Sequence, residues 1–397
     1  MSGPGAIGNR LKRLRTERAL SQAELAELAD VSQDLIAKLE QGTRQSARLT
    51  SLTRLANALD VELSELIDNR PRIDRTYDGG SFLAVRDTLL SPSHLPWIDR
   101  HDDGGEPTPL DDLQRVVESG WEDYWAGRFG RLAGTLPAMI GEARITASAL
   151  GTSAAAALAQ SYQLAACLMV HMGKTDIAAI GAERALHAAA DGSDELQWAT
   201  LHGTYAWILL NQGRLGEAEQ HAVRIAERVE PTFTRSPPQQ LTVWGELMLT
   251  AMAPAAAAGR EPEATDYVAM ARAAAARLDT ERHDYRMSFG PAQVAMQATH
   301  AYTVLGDPTR ALTMARDVRS EDLFMVAYGR HLLDVGQAQV ELRLYDPAII
   351  TMERAREVSP EWFRHQGVAR SVVADLVARR RHVTPILRRL ARAVGVY

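Results

Sequence analysis

Over residues 7–68, apolar positions fall at helical spacing in short blocks with sharp start signals. Leu11 and Leu14 give a first stripe. Ser21 and Glu24 form a capping box opening a second helix, whose inner face is expected at Leu25 and Leu28. Ser32 caps a third helix, with Leu35, Ile36 and Leu39 inward and Gly42 at its end. Leu52, Leu55 and Leu59 line a fourth, and Val61, Leu63, Leu66 and Ile67 close the unit. Five helices in so short a stretch leave only tight turns, so residues 1–70 read as one all-α domain. Residues 71–109 read as a linker: proline, glycine and charge, a short helix beginning near Ser81, then a loop expected to be mobile.

From residue 110 to 397 a longer period takes over. A glycine is followed five residues later by a small or apolar residue that opens a second helix: Gly127–Leu132, Gly173–Ala178, Gly213–Ala218, Gly259–Ala264 and Gly306–Ala311. A sixth site has Arg343 in the glycine position, with Ala348. The second members lie 37 to 47 residues apart. Each unit reads as helix, tight turn, helix, and stacking such units buries a core that one pair could not.

Composition narrows the class. Alanine-rich runs at 154–157, 255–258 and 273–276 favour helix, since alanine loses no side-chain entropy there. The net charge of −6 means that any nucleic-acid role must be local. One cysteine, Cys167, excludes an internal disulfide framework and an all-cysteine zinc site, which fits a reducing, cytoplasmic setting. The first residues carry no signal-peptide pattern. Every apolar stretch of eighteen residues is expected to be broken by charge, which excludes a membrane span. No metal or cofactor site and no catalytic constellation is found. HMGKT (residues 171–175) lacks the first glycine of a phosphate loop and joins two helices rather than following a strand.

The run SQAELAELADVSQDLIAKLEQG resembles the helix-turn-helix of the Xre/Cro/CI regulators, over residues 7–68. The resemblance implies a five-helix, lambda-repressor-like domain that binds double-stranded DNA. Asp30 stands at the left-handed turn position where such motifs usually carry glycine. The third helix would enter the major groove, presenting Gln33, Asp34, Ala37, Lys38 and Gln41. Gln33 suits adenine, Asp34 the cytosine amino group, and Lys38 guanine or a phosphate. Ser32 lies at that helix's start. Gln22, at a helix N-terminus, would fix a phosphate, as its equivalent does in that family. Arg10, Lys12, Arg13, Arg15 and Arg18 concentrate positive charge around the first helix, and Arg44 and Arg48 follow the third.

The later units resemble tetratricopeptide (TPR) repeats, TLHGTYAWILLNQGRLGEAEQHAVRIAERVEP most clearly. Their spacing exceeds the basic TPR period of about 34, so helices or loops must be longer. That resemblance implies an α-solenoid whose first helices line a concave groove. The positions sharing that face include Trp121, Tyr124, Trp125, Gln163, His171, Trp207, Asn211 and His300, expected to bind a small-molecule or peptide signal. The whole reads as an all-α transcriptional regulator with a TPR-like sensor, acting as a homodimer on a palindromic operator. The alternative is a DNA-tethered scaffold whose groove holds a partner protein. Six arginines between 379 and 392 read as the polar face of a capping segment.

Overall fold

The computed structural model describes residues 6–43, 47, 49–61, 66, 82–91, 106–190, 192–232, 235–278, 280–380 and 382–396. Four helices are described in the N-terminal unit: α1 (Ala6–Glu17), α2 (Gln22–Leu28), α3 (Gln33–Glu40) and α4 (Leu49–Ala58). Leu11, Leu14, Leu25, Ile36, Leu39, Leu55, Leu59 and Leu66 form its core. Leu63 and Ile67 lie outside the described residues. The capping box of α2 is formed, with Glu24 N–H donating to Ser21 Oγ at 3.2 Å and Ser21 N–H to Glu24 Oε2 at 2.7 Å. α1 crosses α3 closely enough that a Cβ at Gly8 would overlap the Leu39 carbonyl. Leu28 departs from expectation, being 61% exposed. The buried face of this short helix runs through Leu25, Ala26 and the following Ala29, and a residue at position 28 lies off its far side.

Residues 82–91 are not a free connection. Helix α5 (Phe82–Leu89) buries Val85 and Leu89 completely in the same core as the repeats.

Six helical hairpins follow among the described residues. They are α6 (Leu110–Trp125) with α7 (Phe129–Leu150), α8 (Thr152–His171) with α9 (Thr175–Ala190), and α10 (Glu195–Asn211) with α11 (Leu215–Arg228). Then come α12 (Pro238–Ala257) with α13 (Glu261–Ala275), α14 (Pro291–Leu305) with α15 (Pro308–Met314), and α16 (Met325–Glu341) with α17 (Tyr345–Val358). Helices α18 (Pro360–Arg364), α19 (Gly367–Arg379) and α20 (Pro385–Ala393) end the chain.

All six turn positions read from the sequence have positive φ, from +61° at Arg343 to +80° at Gly213. Each donates its N–H three residues back, and the next residue donates five back: Gly213 to Leu210 and Arg214 to Leu209, both 3.0 Å. This is the Schellman closure, which satisfies the last carbonyls of a helix and needs a left-handed residue. Leu132, Ala178, Ala218, Ala264, Ala311 and Ala348 are all buried. Arg343 holds a conformation that costs a side-chain-bearing residue about 1 kcal/mol. Arg343→Gly should therefore raise the thermal midpoint of the repeat domain by about 2 °C. An unchanged or lower midpoint in a melting curve would count against the shared turn geometry.

The first helices of the hairpins contact one another in series, and α16 returns to α6, so the inner layer closes on itself. The closure has its own contacts. Gly130 N–H donates to Glu361 Oε1 at 2.6 Å, and Ser359 Oγ donates to the Gly127 carbonyl at 3.3 Å. The open groove expected from the TPR likeness is thus replaced by a closed inner layer. One further expectation fails in the same region: α8 is long and apolar enough to cross a membrane. Its most apolar window is 78% buried within this inner layer.

Candidate nucleic-acid interface and candidate ligand site

On α3, the apolar side (Leu35, Ile36, Leu39) is buried, which leaves Gln33, Asp34, Lys38 and the following Gln41 exposed. Ser32 Oγ accepts from Leu35 N–H at 3.2 Å, so this hydroxyl is engaged in capping the helix. Lys38 and Asp34 pair at 2.7 Å along the helix. Asp30 has φ +48° in the turn between α2 and α3, as expected. Its carboxylate meets Arg54 at 2.9 Å. Gln22 is held rather than free: its Nε2 donates to Glu40 Oε2 at 2.8 Å. Arg13 is exposed beside Glu17, at 3.6 Å. Arg15 departs from the basic face expected of α1. Its side chain turns inward to a paired geometry with Glu40 (2.7 and 2.9 Å) and donates to the Leu20 carbonyl. Arg44 and Arg48 lie outside the described residues.

Five of the expected ligand residues converge in the repeat domain. Tyr124 Oη and His171 Nε2 are hydrogen-bonded at 3.1 Å. Trp121, Tyr124 and Trp125 pack on one another on α6, and Trp207 meets the His171 ring at 5.6 Å. Trp121, Tyr124 and Gln163 are buried, not groove-lining, because the inner layer closes over them. Gln163 Nε2 donates to Thr204 Oγ1 at 2.9 Å, while its Oε1 has no partner. Asn211 donates to the Trp207 carbonyl of its own helix at 2.8 Å. His300 stands apart from the aromatic group, between Asp334 (3.1 Å) and Arg330 (3.2 Å).

Burial sets the protonation of this interior. It pushes His171 down to about 3, with the charges of Arg330 and His365 adding to the effect. Burial also pushes His331 and His365 down to about 4. Glu246 is pushed up to about 8 by burial, against a hydrogen bond from Gln293. Cys167 rises to about 12 for the same reason, which makes it a poor nucleophile. Below about pH 6.5 the unfolded chain protonates these histidines while the folded chain does not. Their stabilisation is present above that pH and is lost as pH falls toward 4. Glu246 has the opposite sign, its contribution fading as pH rises through about 8. His202 is likewise pushed down to about 4, and these histidines outnumber the raised carboxylates Glu246 and Glu281, so the melting midpoint of the repeat domain is expected to drop between pH 7 and 4.5. A flat profile there would contradict the burial of these imidazoles.

Residues 6–67 match the family described as a helix-turn-helix domain. The match places a helix-turn-helix domain over these residues. Similar sequences include an immunity repressor protein of Bacillus phage phi105, 36% identical over 61 residues. That alignment covers 15% of this chain and 42% of the repressor. The transcriptional regulator SinR of Bacillus subtilis is 32% identical over 73 residues, 18% of this chain and 64% of SinR. The chain thus spans less than two thirds of the length of these relatives. Among solved structures, BtubC from P. vanneervenii aligns with a TM-score of 0.39 at 16% identity, over 62% of this chain and 90% of its own. Bacillus thuringiensis PlcR, solved in complex with the peptide PapR7 and DNA, aligns at 0.30 and 14% identity, over 67% and 93%.

Two groups of residues escaped the sequence reading. In the helix-turn-helix domain, Glu40 joins α1, α2 and α3 through Arg15 and Gln22. Its only sequence signal was a carboxylate on the last turn of α3. In the repeats, Phe324 stacks on Trp125 (4.8 Å, 12° between planes) and His283 packs on Phe324 at 4.3 Å. His283 belongs to the connection after α13.

Proposed function

We propose that this chain is a transcriptional regulator that reads double-stranded DNA through α3 and carries a signal-binding repeat domain. The observation that carries the reading is the exposed edge of α3. Gln33, Asp34 and Lys38 stand clear on a helix whose opposite face is fixed in the core, and Gln22 is aimed by Glu40 at the start of α2. A helix so presented fits the major groove, where glutamine and lysine each read a base edge. One such domain covers few base pairs, so a homodimer on a palindromic site gives useful specificity. The signal would be a small molecule or peptide held by the inner layer of the repeats. Buried polar atoms there without partners, among them Gln163 Oε1, Gln197 Nε2 and Gln293 Oε1, support that part of the reading.

Binding-site selection with Gln33→Ala/Lys38→Ala tests the DNA face. Discrimination between operator and mismatched sites should fall by about 1–3 kcal/mol per lost base contact. Removing Lys38 also leaves Asp34 without its partner, which adds repulsion toward the DNA. Arg13→Ala should weaken binding evenly across sequences and reduce the salt slope by about one. Operator discrimination unchanged in the double variant would refute the assignment of α3.

A further inference from the structure

Between α13 and α14 the chain does not take a short path. Residues 281–289 double back, closed by paired backbone hydrogen bonds between Arg282 and Phe289, both 2.9 Å. This loop lies across the first helices of four consecutive repeats. Arg286 pairs with Glu118 of α6, and its Nε donates to Gln160 Oε1 of α8 at 3.0 Å. Tyr285 lies beside Asp194, the residue capping α10, and Met287 packs over Gly203. Phe289 is fully buried against Gly245 of α12, where any Cβ would overlap its ring. The loop therefore fills the inner layer as a bound peptide would, with an arginine in an acidic and amide subsite and an aromatic anchor in a glycine notch.

It fits imperfectly. Tyr285 and Arg286 both have positive φ, +53° and +65°, a conformation that side-chain-bearing residues rarely adopt even singly. Around the loop, Gln197 Nε2, Gln293 Oε1 and Ser288 Oγ are buried without hydrogen-bond partners. Gln197 receives Gln160, which receives Arg286, so the shortfall at Gln197 lies on the loop's own polar chain. A segment tethered at both ends cannot adjust to satisfy them; a free one can.

We propose that residues 281–289 are an internal pseudo-ligand. The site beneath them takes a linear peptide carrying an arginine and, a few residues on, an aromatic side chain. This deepens the signal-binding part of the function proposed above and rests on it, but not on DNA recognition. Arginine recognition would come from Glu118 and Gln160, and the aromatic anchor from the notch at Gly245. Displacement of the loop is the event that a ligand would drive.

The test uses the full chain and a fluorescently labelled synthetic peptide with the sequence of Arg282–Phe289. Tyr285→Gly/Arg286→Gly removes the loop's contacts to Asp194, Glu118 and Gln160 while relieving its backbone strain. Peptide affinity, read by anisotropy, should be at least about tenfold higher for this variant than for the parent chain. A peptide with Arg286→Ala should bind the variant about tenfold more weakly, and adding Glu118→Gln to the variant should weaken the unaltered peptide similarly. Phe289→Ala, which empties the notch while leaving Gly245 in place, gives a second opened chain for the same measurements. Saturating peptide should also raise amide exchange across residues 282–289 of the parent chain. No binding to either folded variant, or equal binding of the two peptides, would overturn the proposal. Operator affinity measured in the same samples separates that failure from a failure of the DNA reading.

Discussion

Trp121→Ala is expected to destabilise the repeat domain by about 3–5 kcal/mol, the cost of deleting a large buried aromatic side chain. Trp121 is 2% exposed and sits where α6 meets the closed inner layer. It packs edge-on against Tyr124 at 5.5 Å and beside Trp125 at 6.0 Å. Its neighbours cannot collapse into the space, because Trp125 is also stacked on Phe324 and Tyr124 is tied to His171. Trp207→Ala, by contrast, removes a partly exposed ring whose main aromatic partner is His171 at 5.6 Å, and should cost clearly less. Trp121→Phe separates volume from polarity. It leaves a smaller void and deletes an indole N–H that has no acceptor, so its cost should fall well below that of alanine. Denaturant unfolding followed by circular dichroism ranks the three. If Trp207→Ala proves as costly as Trp121→Ala, the inner layer is not closed at α6 in solution.

What the sequence could carry follows from the range of the forces involved. The six turns were legible because a Schellman closure demands one left-handed residue, and glycine meets that demand at five of the six. Arg343 was found only through register with the others, and it shares their hydrogen bonds. Asp30 was likewise placed by its motif. The core residues of α3 were legible because a single helix with one wet side repeats its pattern every turn. Leu28 was misplaced because α2 has only seven residues, too few for a periodic stripe to define its face. Ring closure was not legible. It rests on pairs such as Gly130–Glu361 and Gly127–Ser359, separated by more than two hundred residues and made by ordinary side chains in a turn and a helix start. Nor was the inward course of residues 281–289, whose residues look like those of any exposed connection. Arg15 was read as part of a basic face because its partner, Glu40, lies on another helix. Charge counting along one element cannot see such a pair.

That pair sets the largest effect expected in the helix-turn-helix domain. Glu40→Ala should cost about 3–5 kcal/mol, the usual consequence of leaving one member of a buried ion pair without the other. The side chains of Arg15 and Glu40 are only 13% and 3% exposed, and the contact uses two of the three guanidinium nitrogens and both carboxylate oxygens. The same substitution frees Gln22 from its hydrogen bond at the start of α2. A domain of this size holds roughly 5 kcal/mol in total, so a large fraction would unfold at growth temperature and operator binding would collapse. Glu40→Gln keeps the shape and an acceptor for Gln22 but gives up the charge, and should fall between the two. The acid limit follows from the same group. Burial pushes Glu40 upward, but hydrogen bonds from Arg15 and Gln22 and the charges of Arg15 and Lys12 outweigh it and hold the carboxyl below its usual range. Its stabilisation is therefore complete above about pH 4.5 and fades as pH falls below that value. In Glu40→Gln that acid-dependent part should vanish, so the parent and variant melting midpoints should converge as pH is lowered from 6 to 3. Midpoints that stay parallel over this range would show that the Arg15–Glu40 pair does not hold α1 to α3.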